Sequence, residues 1–167
     1  MKLGNILSHT PGIPIIEWPV EFHIMKMTGN GNDQKERIRV EAYLQPVSES
    51  DRLRSASEAL HFLRTNPNSP FAKKVKELGD AFEIPEDELS LEKGYRFLMY
   101  ALYSKDENGS LERLISSEID YQLFRNGVIR KVIDFLFGKY SELIQQEYPE
   151  TITPEEQQEL EEEAEKK

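Results

Sequence analysis

The chain has 167 residues, with 31 Asp and Glu against 21 Lys and Arg, three His, no Cys and a formal charge of -10. A chain of this length buries roughly 70% of the surface its unfolded form exposes, so it builds a core without metal or disulfide. The lack of cysteine excludes a disulfide framework, thiolate catalysis, thiolate zinc sites and iron-sulfur clusters.

Met1 to Thr10 carries a short cluster of Leu3, Ile6 and Leu7, without the continuous apolar stretch and small-residue cleavage site of a secretory signal, so a cytoplasmic location is expected. Pro11, Pro14 and Pro19 disfavour helix and suit an extended edge. From Trp18 to Leu44 the pattern has period two. Val20, Phe22 and Ile24 alternate with Glu21 and His23, and Ile38, Val40, Ala42 and Leu44 alternate with Arg37, Arg39, Glu41 and Tyr43. Two strands are predicted, joined antiparallel through the turn-forming segment Thr28 to Asp33.

After Pro46 the spacing becomes helical. Ser48 resembles an N-terminal cap, and Leu53, Ala56, Leu60 and Leu63 form one stripe of a helix that stops near Asn66-Pro67. Ser69-Pro70 starts a second helix with Phe71, Val75, Leu78 and Phe82 on one face, closed by Ile84-Pro85. A third aligns Leu91, Tyr95, Leu98 and Leu102 and is expected to end at Asp106 to Gly109. Ser110 is expected to cap a fourth, with Leu111, Ile115, Ile119 and Leu123 inward and Asn126-Gly127 at its end or bend. Val128 to Tyr148 is the most apolar segment and is predicted to be the central helix.

The last segment opens with Thr153-Pro154-Glu155-Glu156, a helix-starting signal, but only Leu160 and Ala164 follow as apolar residues. Glu147 to Lys167 holds nine acidic and two basic side chains, a net of -7, leaving -3 for residues 1–146. The anionic character thus belongs to a tail. The predicted fold is α+β and mostly α: an N-terminal antiparallel β-hairpin, a bundle of about five helices and an acidic C-terminal extension. Residues 1–148 are expected to be one domain, with the extended start and hairpin in 1–47 and the helical body in 48–148. Residues 149–167 are expected to be a solvated helix or disordered. The longest apolar run, Phe97 to Tyr103, reaches about 10 Å as a helix at ~1.5 Å per residue, far short of a bilayer.

Chemical motifs are weak. Gly29-Asn30-Gly31 lies between strands and lacks the Lys-Ser/Thr of a phosphate loop. Asp106, Asn108 and Ser110 have the spacing of a calcium loop, but Leu111 and Ser117 stand where it needs Gly and Glu. His9, His23 and His61 form no metal-binding pair, and Ser116, Ser117, Glu118 and Asp120 read as a polar helix face. Lys73, Lys74 and Lys76, with Arg52, Arg54 and Arg64 nearby, read as a solvated surface rather than a nucleic-acid site. No catalytic, cofactor-binding or metal-binding residues are assigned, and no cofactor, nucleic acid or membrane is expected.

Two isolated strands are marginal in water, so the hairpin must pack on helices or on another chain, and its edges permit strand addition. Trp18, Phe22 and Tyr43 are the candidate partner-binding residues.

The strand pair, the junction Tyr43-Leu44-Gln45-Pro46-Val47-Ser48-Glu49-Ser50-Asp51-Arg52-Leu53, the short helices and the Glu-rich end after Tyr148-Pro149 together resemble a tail assembly chaperone of long-tailed bacteriophages. The likeness is one of layout over most of the chain and transfers no individual functional residue. It implies a non-enzymatic protein that binds the long, apolar, helical tape measure protein in the host cytoplasm and keeps it soluble while tail tube subunits polymerise. The alternatives are a structural adaptor of a virion or other assembly, joined through the hairpin edge, and a small enzyme or regulator with an unrecognised cleft. The oligomeric state is left open.

Overall fold

A computed structural model describes residues 16–28, 34–149 and 154–166. Strands β1 (Pro19–Thr28) and β2 (Gln34–Leu44) pair antiparallel in unbroken register from Pro19 opposite Tyr43 to Thr28 opposite Gln34. The early prolines Pro11 and Pro14, the Gly29 to Asp33 turn and the Thr153 cap lie outside the described residues.

Five helices follow in the body: α1 (Glu49–Thr65), α2 (Ala72–Leu78), α3 (Glu86–Ala101), α4 (Glu118–Gly127) and α5 (Arg130–Glu147). A short 3-10 turn, Gly79–Ala81, follows α2. The expected cap of α1 forms, with Ser48 Oγ accepting from the Asp51 N–H at 3.1 Å. A sixth helix, α6 (Pro154–Glu165), occupies the acidic extension, and the side chains described along it are exposed. The protein is therefore mostly helical, with the hairpin at its N-terminal side. No helix among the described residues is long and apolar enough to cross a membrane.

The sheet has four strands instead of two, in the order β1-β2-β3-β4. The third helix stops at Ala101, and Leu102–Lys105 is β3, which pairs with Leu111–Arg113 as β4. Asp106 to Gly109, expected to end a helix, is the turn of this second hairpin. Asp106 Oδ1 accepts from the N–H groups of Asn108 and Ser110, each at 2.9 Å, and Gly109 takes a φ of 79°. A side-chain-closed turn with a left-handed glycine favours a hairpin over continued helix. Ser117, not Ser110, then caps α4, accepting from the Asp120 N–H at 3.1 Å.

That later start resets the phase of α4. Tyr121, Phe124 and Gly127 turn inward, whereas Ile119 and Leu123, expected in the core, are 74% and 62% exposed. On α1 the buried residues are Ser55, Ala59, Phe62 and Leu63; of the expected stripe only Leu63 is buried, and Leu53 and Leu60 are exposed. Leu78 likewise faces solvent, while Phe71 and Phe82 meet ring to ring at 6.0 Å. The most deeply placed helix is α3, not α5. It buries Glu92, Arg96, Leu98, Met99, Tyr100 and Ala101, against Ile133, Leu136 and Leu143 on α5.

The core lies between the inner face of the sheet and the helices. Val20, Phe22, Ala42 and Leu44 form that face, and the Phe22 ring meets Phe124 of α4 edge-on at 6.3 Å. Tyr95 of α3 meets Phe124 at 6.5 Å, and Phe97 of α3 packs on Phe137 and Tyr140 of α5 at 5.8 and 5.0 Å. Edge-on and stacked aromatic pairs of this kind contribute about 0.5–1.5 kcal/mol each beyond area burial. Tyr140 also accepts from the Val47 N–H at 3.0 Å, tying α5 to the strand-to-helix junction.

Candidate functional site

Trp18, Phe22 and Tyr43 do not share a surface. Phe22 is 3% exposed and its ring belongs to the core, which withdraws it from any partner in this form. Trp18 is half-buried against the same core, and its carbonyl accepts from the Leu44 N–H at 2.9 Å. Tyr43 lies on the opposite, outer face, with Lys105 Nζ 4.6 Å from its ring centre. It lines a hollow of about 310 Å³ together with Pro19, Glu21 and Glu41.

The largest concentration of polar chemistry lies elsewhere, where α1, α3 and the start of α4 meet. Arg96, on α3, is only 2% exposed. Its Nη1 and Nη2 donate to the two carboxylate oxygens of Glu118 at 2.6 and 2.8 Å, and its guanidinium stacks 3.6 Å from the Tyr121 ring centre. Glu58 of α1 stands 3.7 Å from Nη1 and accepts from the Tyr100 hydroxyl at 2.6 Å. One turn earlier on α3, the buried Glu92 accepts from the Tyr121 hydroxyl at 2.6 Å and from Arg125 Nε at 2.8 Å. The network thus spans three helices. Arg96 Nε and Glu58 Oε2 are buried without a hydrogen-bond partner, so this part is held by charge more than by directed bonds.

A cleft of about 540 Å³ opens above Arg96, walled by Ser57, Glu58, His61, Phe62 and Glu118 among others. The hydrogen bond from Arg96 holds the Glu118 carboxyl below the ordinary range. Burial, followed by the charge and hydrogen bond of Glu92, pushes the Tyr121 hydroxyl far above its ordinary value. Burial opposes the charge on Arg96, but Glu118, Tyr121 and Glu58 together raise its proton affinity on balance. Both carboxylates are committed to Arg96 or Tyr100, so the arrangement clasps helices together and keeps ionised groups ordered at the cleft floor. Among the described residues no group of three or more His, Asp and Glu is placed to hold a metal ion.

Sequence reasoning did not single out Glu58, Glu92, Arg96 or Arg125. A signal was present: Glu92 and Arg96 stand four apart in a helix whose neighbours Leu91, Tyr95, Phe97 and Leu98 are apolar. The cluster Ser116, Ser117, Glu118 and Asp120 is a helix start, with Ser116 donating to Asp120 at 3.2 Å and Glu118 reaching across to Arg96. No protein-family model, curated protein or solved structure matches this chain.

Proposed function

We propose that this chain is a non-enzymatic assembly chaperone for phage tail morphogenesis, which keeps an apolar, helical tape measure protein soluble. The observation that carries the reading is the outward pair Ile119 and Leu123, one turn apart on α4 and both more than half exposed. Such pairs at helical spacing are the anchors by which one amphipathic helix takes another. Leu53 and Leu60, seven apart and exposed on α1, offer a second apolar strip. The acidic tail supports the same reading, because its charge keeps a complex with an apolar partner from self-associating.

Co-expression tests it. A cognate tape measure protein is expected to become more soluble and to co-elute with this chain on gel filtration. The double variant Ile119→Ser, Leu123→Ser is expected to lose both effects while keeping its stability within about 0.5 kcal/mol, since both side chains face solvent. No gain in soluble tape measure and no complex would sink the proposal. A second reading, an adaptor retained in the finished particle, is favoured by the part of β2 before Tyr43, which β3 does not pair with; presence in purified virions separates an adaptor from a chaperone that leaves.

A further inference from the structure

Three places in the chain set Asn directly before Gly: Asn30-Gly31, Asn108-Gly109 and Asn126-Gly127. That order is reactive, because the main-chain nitrogen that follows an Asn can close a ring on its side-chain carbonyl carbon, and Gly has no Cβ to shield the nitrogen. Closure requires the Asn backbone and side chain to rotate until the two atoms meet, so the surrounding fold decides which pair reacts. Asn30-Gly31 lies outside the described residues.

Asn126-Gly127 is locked. It belongs to the last turn of α4, and the next N–H, that of Val128, still donates to the Phe124 carbonyl at 3.0 Å. Gly127 is buried, with its Cβ position 2.7 Å from the Met25 carbonyl oxygen, so rotation there requires α4 to part from β1. Asn108-Gly109 is held by far less. Both residues are exposed at the tip of the β3–β4 hairpin, and the Asn108 side-chain amide has no hydrogen-bond partner among the described residues. The nucleophile, Gly109 N, is tied only by its bond to the Asp106 carbonyl at 3.0 Å. An exposed turn of this kind opens at much lower free energy than a packed helix end.

We propose that Asn108 is a site of spontaneous deamidation that unlatches the second hairpin. Gly109 N bonds to Asn108 Cγ, the Cγ–Nδ2 bond breaks, and ammonia leaves with the proton that Gly109 gives up, which closes a succinimide. Water then adds to one of the two ring carbonyls and cleaves its bond to nitrogen. Opening at Cγ leaves an aspartate. Opening at the main-chain carbonyl leaves an isoaspartate, whose main chain runs through Cγ and is longer by a methylene. The turn has no room for that insertion: Asp106 Oδ1 accepts from the N–H groups of Asn108 and Ser110, each at 2.9 Å, while the Ser110 carbonyl accepts from the Asp106 N–H at 2.8 Å. A longer chain between these anchors breaks the closure and loosens β4, whose Arg113 reaches Asp51 of α1 at 3.8 Å. The site stands independently of the chaperone reading.

The full chain, aged at body temperature in mildly alkaline buffer and mapped by peptide mass spectrometry, is expected to gain a mass unit at Asn108 about tenfold or more faster than at Asn126, and the two rates are expected to converge in urea. Asp106→Ala frees the turn and is expected to speed the change at Asn108 while leaving Asn126 as it was. The isoaspartate form, separated by ion exchange, is expected to melt below the variant Asn108→Asp, which carries the same added charge without the methylene. Equal rates at the two pairs in the native protein, or an Asn108 that stays intact as the chain ages, overturn the proposal. An isoaspartate form that melts together with Asn108→Asp overturns the unlatching. If Asp106→Ala fails to fold, the comparison of native and urea-unfolded rates decides the matter.

Discussion

Arg96 shows how a single buried cation organises this body: Glu118 of α4 grips its guanidinium from one side, Glu58 of α1 approaches from another, and Tyr121 covers its face. Removing one partner from such a network leaves an uncompensated charge, which is more costly than the pair is stabilising. The consequence for pH follows from Glu118. Arg96 holds its carboxyl below the ordinary value of 4.5, so the folded protein takes up that proton less readily than the unfolded chain. The stabilisation is complete above the ordinary value and is lost as pH falls through the depressed one. Glu118→Gln is expected to flatten the thermal midpoint's decline below pH 4.5, with a modest amplitude because the Glu118 side chain is mostly exposed. A melting profile against pH that overlays the parent's would contradict this. None of these pairings was readable beforehand, because the groups are far apart in the chain and only the packing of α1, α3 and α4 brings them together.

At the scale of elements, α4 packs so closely on β1 that a residue type is dictated. A Cβ added at Gly127 would lie 2.5 Å from Ile24 Cγ2 and 2.7 Å from the Met25 carbonyl oxygen. A strand backbone held in register with β2 cannot easily retreat, so Gly127→Ala is expected to destabilise by about 1–3 kcal/mol, measured by urea unfolding. An unchanged midpoint would mean that the helix end slides freely. This contact also covers part of the outer edge of β1. The hairpin, the α1 cap and the ends of α1 and α4 were legible because period-two alternation, Ser48, Asn66-Pro67 and Asn126-Gly127 are local signals. The second hairpin was not, since Leu102 and Tyr103 continue the apolar run from Phe97 without a break. That omission shifted α4 in phase and reversed the assignment of Ile119 and Leu123, which are the residues the proposed function uses.

For the molecule as a whole, charge is segregated along the chain: Glu147 to Lys167 carries a net of -7 and residues 1–146 a net of -3. The buried apolar cluster runs from Val20 to Leu143, and the side chains described along α6 are exposed. Deleting residues 154–167 takes the formal charge from -10 to -5. The thermal midpoint is expected to move by less than about 2 °C, followed by circular dichroism, because little apolar area leaves the core. A broadened transition would place the extension inside the cooperative unit. The order of the strands has a kinetic consequence too. β1 and β2 zip together as neighbours in the chain, but Leu102 reaches Leu44 only after residues 45–101 have doubled back. Closing that span carries its entropic cost before the reward of burial arrives, so completion of the sheet waits on the collapse of α1 and α3. Until then the third strand's place beside Leu44 stands vacant, and a nascent chain is at its most vulnerable to mispairing with its neighbours.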